Sequence, residues 1–336
     1  MRAVVVSEPG GPDALEVADV PTSEPGPGEV LIEVVAAGVN RADLMQREGH
    51  YPPPPGASDI IGLEVSGHVA ALGADVTGLQ VGEPCVALLA GGGYAEQVVV
   101  PSGQVIAPPP GYDLTDAAGV LEVAATVWST LAYAHLARGE TFLVHGGAGG
   151  IGSFAIQYAK ALGATVIATA GSEAKLQHCR DLGADHAFSY RDDWAAQVRD
   201  ATNGRGVDVV LDNMGAKYLE AHVKLLAPDG RLVVIGFQGG RRAEIDLGAL
   251  LAKRGTVAAI SLRSRPLDQK ADICRHVAAE VWPLLADGTI RPTPLTTYAL
   301  DEVADAHRAL ESGDNVGKIV LRVAHDLGQK IPPSIG

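Results

Sequence analysis

Three glycines, Gly147, Gly149 and Gly152, stand in G-x-G-x-x-G spacing within His145-Gly-Gly-Ala-Gly-Gly-Ile-Gly152. Glycines at this spacing suit one kind of chemistry, the holding of a diphosphate. The first permits a tight turn, the second lets a pyrophosphate approach the backbone, and the third lets a helix pack close to a strand. Free N–H groups at the helix start, with the macrodipole behind them, would receive the negative charge. The flanks give the context that makes the spacing believable. Thr141-Phe-Leu-Val144 reads as a buried parallel strand, and Ile151, Phe154, Ala155, Tyr158 and Leu162 follow a helical period.

A second group of residues bears on which dinucleotide is held. In such folds an acid at the end of the second strand, about 20 residues past the glycines, grips the ribose 2′-OH of NAD. Here that strand ends Thr169-Ala-Gly-Ser172, with no carboxylate at its tip. Gly171 leaves room for a 2′-phosphate, Ser172 can donate to it, Lys175 can neutralise it, and Tyr190 can add a hydroxyl. These residues predict NADPH. Glu173, close by, argues for the opposite choice, and Lys175 has the alternative of being a solvated helix charge. The missing Gly-Lys-Ser/Thr excludes a P-loop. A short-chain dehydrogenase needs Tyr-x-x-x-Lys, and none of Tyr158, Tyr190 or Tyr218 has a lysine four residues on.

The elements that must position these residues can be traced along the chain. A length of 336 residues favours two domains. Apolar runs at 3–6, 30–36, 67–72 and 94–100, separated by Pro/Gly turns, predict a β-rich first unit. Tyr51-Pro-Pro-Pro-Pro-Gly56 reads as a stiff extended loop. A helix is expected to start at Leu114 with Thr115 as N-cap, and 120–136 reads as a long apolar helix. From 141 to 262 the pattern alternates. Strands are predicted at 141–144, 164–168, 187–189, 207–211, 231–235 and 257–261, and helices at 150–162, 173–182, 192–202, 216–226 and 246–253. That is an α/β, doubly wound nucleotide-binding unit. Two amphipathic segments, 269–287 and 301–312, and a strand at 318–323 are expected to return to the first unit, with 324–336 frayed.

Composition excludes several classes. A net charge of −14 argues against nucleic acid or an anionic membrane as partner. No apolar run approaches the ~18 residues of a membrane span, and no signal peptide is apparent, so the cytoplasm is the expected location. Cys85, Cys179 and Cys274 form no C-x-x-C pair and read as buried free thiols.

In family order, several further stretches accompany the glycine turn. They are Ala37-Gly-Val-Asn-Arg-Ala-Asp-Leu-Met-Gln-Arg-Glu-Gly49, Pro53-Pro-Pro-Gly-Ala-Ser58, Gly62-Leu-Glu-Val-Ser-Gly67, Leu182-Gly-Ala-Asp185, Ser261-Leu-Arg-Ser-Arg265 and Val316-Gly-Lys-Ile-Val320. On these motifs the chain resembles the zinc-independent medium-chain dehydrogenases/reductases of the quinone oxidoreductase group. It sits nearest the tumour-suppressor-inducible branch and its bacterial relatives. The resemblance implies a Rossmann domain, 119–265, inserted in a GroES-like catalytic domain, 1–118 plus 266–336, and a homodimer, with the sheet continuing through 257–261.

It also implies a cleft in which Asn40 and Tyr51 face nicotinamide and substrate, Thr126 supports the ring, and Ala148, Gly149, Gly150 and Ile151 hold the pyrophosphate. Gly171, Ser172, Lys175 and Tyr190 would hold the 2′-phosphate, as argued above. Asn213 would meet the ribose or adenine edge. Gly236, Phe237 and Gln238 would flank the nicotinamide, with Leu262, Arg263, Ser264 and Asn315 completing the cofactor set. Zinc-dependent relatives carry Cys where Asn40 stands and His where Leu63 stands, so no catalytic metal is expected. The implied reaction is metal-free hydride transfer from NADPH to a quinone. A 2-alkenal or other enone is the alternative acceptor, and an NADPH-binding protein without turnover is the alternative from another class. No residue stands out as an obligatory general acid; Tyr51 is the candidate proton donor or substrate anchor.

Overall fold

The computed structural model describes residues 1–323. Its first strands are β1 (Arg2–Val6), β2 (Leu15–Asp19), β3 (Glu29–Val39), β4 (Glu64–Leu72), β5 (Pro84–Leu88), β6 (Gln97–Pro101) and β7 (Val105–Ile106). The middle of the chain forms β8 (Thr141–His145), β9 (Thr165–Ala170), β10 (His186–Ser189), β11 (Val207–Asp212), β12 (Leu226–Val234) and β13 (Thr256–Ala259). Two strands follow, β14 (Leu295–Ala299) and β15 (Lys318–Arg322).

The middle strands make a six-stranded sheet in the order β10-β9-β8-β11-β12-β13, and every pairing is parallel. Both faces are covered, which is why these strands are apolar at nearly every position. Phe142, Val144, Val166, Ala168, Val209 and Leu211 join one core with the helix Gly150–Ala161. Their neighbours Leu143, Ile167 and Val210 point the other way, against Trp194, Val198 and Leu225. The order reverses between β8 and β11, and a crevice opens there beyond the carboxyl ends of the strands.

The outer strands make a mixed sheet in which β14 and β15 return from the end of the chain, β15 pairing antiparallel with β3. The helix Leu121–Tyr133 lies between the two sheets, and the segment 267–286 packs on it. No helix of the described residues is long and apolar enough to cross a membrane. Cys85, Cys179 and Cys274 are free and buried.

Several local expectations change. Asp113, not Thr115, caps the first helix: its carboxylate accepts from the Asp116 N–H at 2.8 Å. The segment predicted as one helix over 269–287 is Leu267–His276 and Trp282–Ala286 around a π turn, Val277–Val281. Pro283, which has no N–H, breaks the regular hydrogen-bond ladder there. The strand expected from Tyr94 begins at Gln97. Tyr94 is instead a fully buried side chain donating to Asp43 at 3.0 Å. Strands β2, β5, β7 and β14 and the short helix Arg41–Arg47 were not legible. The expectation of a frayed 324–336 lies outside the described residues.

Candidate active-site cleft

The fingerprint turn is built by a glycine that the spacing argument passed over. Gly146, with φ +65°, takes the left-handed conformation, so the tight turn belongs to it and not to Gly147. Gly147 is needed for space: a Cβ there would lie 2.6 Å from Cys179 Sγ. Its N–H donates to the Thr169 carbonyl at 2.9 Å, fastening the turn to β9. A Cβ on Gly152 would lie 2.3 Å from the Gly146 carbonyl oxygen, so helix and turn pack too closely for any side chain. Gly149 is the N-cap of Gly150–Ala161, in extended conformation. The first-turn N–H groups of Gly150, Ile151 and Gly152 have no intrahelical partner and are free to receive an anion. The Ala148 carbonyl accepts from the Gly317 N–H at 2.9 Å, tying the turn to the segment before β15. At Gly150 a Cβ would sit 3.3 Å from Lys318 Cδ.

Beside this turn lies a cleft of about 290 Å³. Asn40, Tyr51, Thr126, Ile151, Asn213, Gly236, Phe237, Gln238, Leu262 and Arg263, drawn from both halves of the fold, line it together. Met45, Leu63 and Ile235 make much of the remaining wall apolar. Asn213 Oδ1 is buried without a hydrogen-bond partner among the described residues, an acceptor waiting for a donor such as a ribose hydroxyl. The turn and this orphaned acceptor together fit a dinucleotide.

Asn40 does not reach into the cleft with a free amide. Its Oδ1 accepts from Lys318 Nζ, and its Nδ2 donates to Glu64 Oε1 at 3.0 Å. Lys318 and Glu64 form a buried ion pair at 2.7 Å. The second Glu64 oxygen accepts from the Glu122 N–H at 2.9 Å, and Thr126 Oγ1 donates to Glu122 Oε1 at 3.0 Å. Burial pushes the Glu122 carboxyl up, Glu64 adds to that, and Lys318 pulls against it. Neither Lys318 nor Glu122 was singled out from sequence. The one available signal was the Val-Gly-Lys-Ile-Val motif, which named the lysine without a task.

Arg263 is likewise committed to the protein. Nε donates to the Ala90 carbonyl at 2.7 Å, Nη1 to the Tyr51 carbonyl at 3.2 Å, and Nη2 to Gln46 Oε1 at 2.6 Å. Burial lowers its pKa from the usual arginine value. Ser264 donates to Oγ of Ser261, a lining residue, at 3.0 Å, but neither Ser264 nor Asn315 itself lines the cleft. Asn315 donates to the Gly317 carbonyl at 3.4 Å, one step from the fingerprint.

Of the four 2′-phosphate candidates, Gly171 and Tyr190 meet at the tips of β9 and β10, while Ser172 and Lys175 lie at the start of the helix that follows β9. The space at Gly171 is already taken by Tyr190, whose hydroxyl lies 2.2 Å from where a Cβ would be. That glycine therefore makes room for the phenol, not directly for a phosphate. Ser172 begins the helix Glu173–Asp181 without using its hydroxyl as a cap. Lys175 Nζ donates to the Gly313 carbonyl. Glu173 is turned along its helix and pairs with Arg180 at 2.8 Å.

Comparison with known proteins places this geometry. Residues 26–110 match the family described as alcohol dehydrogenase GroES-like domain, and 150–279 the family described as zinc-binding dehydrogenase. A quinone oxidoreductase of Pseudomonas aeruginosa is 34% identical over 93% of this chain and 96% of its own. A polyketide synthase subunit of Mycobacterium tuberculosis is 34% identical over 95% of this chain, which spans 14% of that protein's length. The Escherichia coli quinone oxidoreductase complexed with NADPH superposes with TM-score 0.86 at 28% identity, covering 96% of this chain and all of the other. An enoyl reductase, CurK, superposes with TM-score 0.84 at 27% identity over 96% and 98% of the two chains. The chain is an α/β protein with a Rossmann sheet and a GroES-like unit, and it belongs to the medium-chain dehydrogenase/reductase family, in the quinone oxidoreductase group.

Proposed function

We propose that this protein is an NADPH-dependent reductase that passes hydride to a quinone or a similarly electron-poor acceptor without a metal. The observation that carries the reading is the single apolar cleft in which Asn40, Tyr51 and Thr126 meet Ile151, Asn213 and Phe237 beside the glycine turn. When bound, reduced nicotinamide supplies the hydride at its ring C4. The amides of Gly150, Ile151 and Gly152 would receive the pyrophosphate, and Thr126 and Phe237 would set the ring position. Ser172, Lys175 and Tyr190 would hold the 2′-phosphate, a reading helped by the diversion of Glu173 to Arg180. Asn40 and Leu63 are poor zinc ligands, so the acceptor must be activated by orientation and by the polar wall of the cleft. Quinones need little more than that. An enone is the second acceptor class, favoured by the likeness to an enoyl reductase.

The same reading takes 1–118 with 266–336 as the catalytic unit and 119–265 as the cofactor unit, in a cytoplasmic homodimer joined along the outer edge of β13. The test is steady-state oxidation of NADPH and NADH with 1,2-naphthoquinone and a panel of enals, with and without EDTA. NADPH-dependent, chelator-insensitive quinone reduction is expected. Equal use of NADH would remove the cofactor assignment, and chelator-sensitive turnover would remove the metal-free one.

A further inference from the structure

We propose that Glu122 is the proton donor of the cleft, giving its carboxyl proton to the acceptor atom that becomes electron-rich on reduction. This rests on the reductase reading above. Glu122 stands one helical turn before Thr126 on the helix Leu121–Tyr133, and its side chain forms part of the cleft wall beside Asn40, Leu63 and Tyr51. Oε1 accepts from Thr126 Oγ1, which leaves Oε2 to carry a proton. Oε2 has no hydrogen-bond partner among the described residues, and it is not among their sealed, unpartnered atoms, so it opens on the cleft.

The charged groups around it explain why a proton would stay there. Glu64 of β4 is already paired with Lys318 of β15 at 2.7 Å, so that cation is shared before it can serve Glu122. Asp43, from the helix Arg41–Arg47, adds a further carboxyl nearby. Arg263 and Lys270 border a small adjoining cavity with Glu122. Arg263 spends its donors on Ala90, Tyr51 and Gln46, and Lys270 donates to the Arg263 carbonyl at 3.4 Å. No ion pair reaches Glu122 among the described residues. A half-buried carboxyl with like charge beside it and no cation of its own favours the neutral acid. Burial and Glu64 hold its pKa above the ordinary glutamate value, against Lys318.

The step balances simply. The O–H bond of the carboxyl breaks, and an O–H bond forms on a quinone oxygen or a C–H bond on the α-carbon of an enone. The electron pair enters as hydride from the reduced nicotinamide dinucleotide, which bonds to the β-carbon of the enone or to the quinone, and a solvent proton relayed by water in the cleft restores the carboxyl.

Glu122→Gln keeps the shape and the Thr126 contact but cannot give up a proton; Glu122→Asp keeps the acid. In infrared spectra of the cofactor-free protein, the wild type is expected to show protonated-carboxyl absorption that titrates with pH, one component of which is missing from Glu122→Gln while that of Asp43 remains. With an enone, Glu122→Gln is expected to lose about 10²-fold in kcat, the scale of general acid catalysis. It should also lose the fall in kcat on the basic side, while NADPH binding by fluorescence is unchanged and Glu122→Asp regains part of the rate. An active wild type whose Glu122→Gln variant keeps both its rate and its basic limb, or a Glu122 already ionised at pH 5, overturns the donor role alone. A wild type that binds NADPH but reduces no acceptor overturns the reading beneath it, and the donor role with it.

Discussion

Arg263 lies over the ring of Tyr51, with Cζ 5.1 Å from the ring centroid, while Nη1 donates to the carbonyl of the same residue. Arg263 follows β13 of the parallel sheet, whereas Tyr51, Gln46 and Ala90 belong to the part of the chain before it. One guanidinium therefore spans the cleft and fixes the loop that presents Tyr51. Lysine, a single point donor, cannot serve three divergent acceptors and stack as well. Arg263→Lys is expected to raise KM for the acceptor by about 10-fold or more, from loss of charged hydrogen bonds worth ~1.5–3 kcal/mol. The dissociation constant of NADPH should barely move. Tight NADPH binding lost along with the acceptor KM would mean that Arg263 serves the cofactor instead.

At the other end of the crevice, Lys175 reaches the Gly313 carbonyl in the turn that closes the helix Val303–Ser312. That partner is neutral, and no ion pair reaches the ammonium among the described residues; Ser172 stands at the N-cap of the same helix, one turn before it. Lys175→Ala should raise KM for NADPH by on the order of 10- to 100-fold, the worth of one charge-assisted contact. KM for NADH should change little. Steady-state kinetics with both cofactors checks this, and equal effects would show that Lys175 does not read the phosphate.

The order in which these residues could be found follows their physics. A glycine turn is a local constraint, so Gly147, Gly149 and Gly152 could be read from spacing, as could the parallel strands, whose two buried faces make them apolar throughout. Even there, two adjacent glycines hid that Gly146 carries the positive φ. Glu64, Glu122 and Lys318 lie 58 and 196 residues apart in the chain and meet only because β15 returns beside β3 and the helix Leu121–Tyr133 docks between the sheets. No local pattern distinguishes such charges from solvated ones. Arg263 shows the converse case: the motif found the residue, but only the fold shows that its donors are spent on the protein.

A second buried acid gives the stability a pH dependence. Asp43 Oδ2 accepts from the Asn40 N–H at 2.7 Å and from Tyr94, while Oδ1 has no partner. Burial raises its pKa to about 7, against those hydrogen bonds and Lys318. Because the folded state holds this proton more tightly than the unfolded chain, its contribution is complete below about pH 4 and is lost as pH rises through about 7. Asp43→Asn carries no such proton. The melting temperature of Asp43→Asn relative to wild type should therefore rise from pH 5 to pH 8. A difference that stays flat over that range would mean that Asp43 is already ionised at pH 5.

Two glycines of the fingerprint separate a structural demand from a binding one. At Gly152 a Cβ would meet backbone, the Gly146 carbonyl oxygen at 2.3 Å, and backbone on both sides of the contact cannot move aside. Gly152→Ala should lower the melting temperature and weaken NADPH binding together. At Gly149 the same addition meets only the Gly146 oxygen at 3.5 Å, an ordinary contact, and φ of −84° suits any residue. The N-cap change alone costs about 0.5–1 kcal/mol. Gly149→Ala should therefore melt close to wild type while binding NADPH far more weakly, because the new methyl occupies the path of the pyrophosphate to the amides. Thermal melts beside fluorescence titrations of both variants decide it. A Gly149→Ala variant that binds NADPH normally would show that the diphosphate does not lie against this turn.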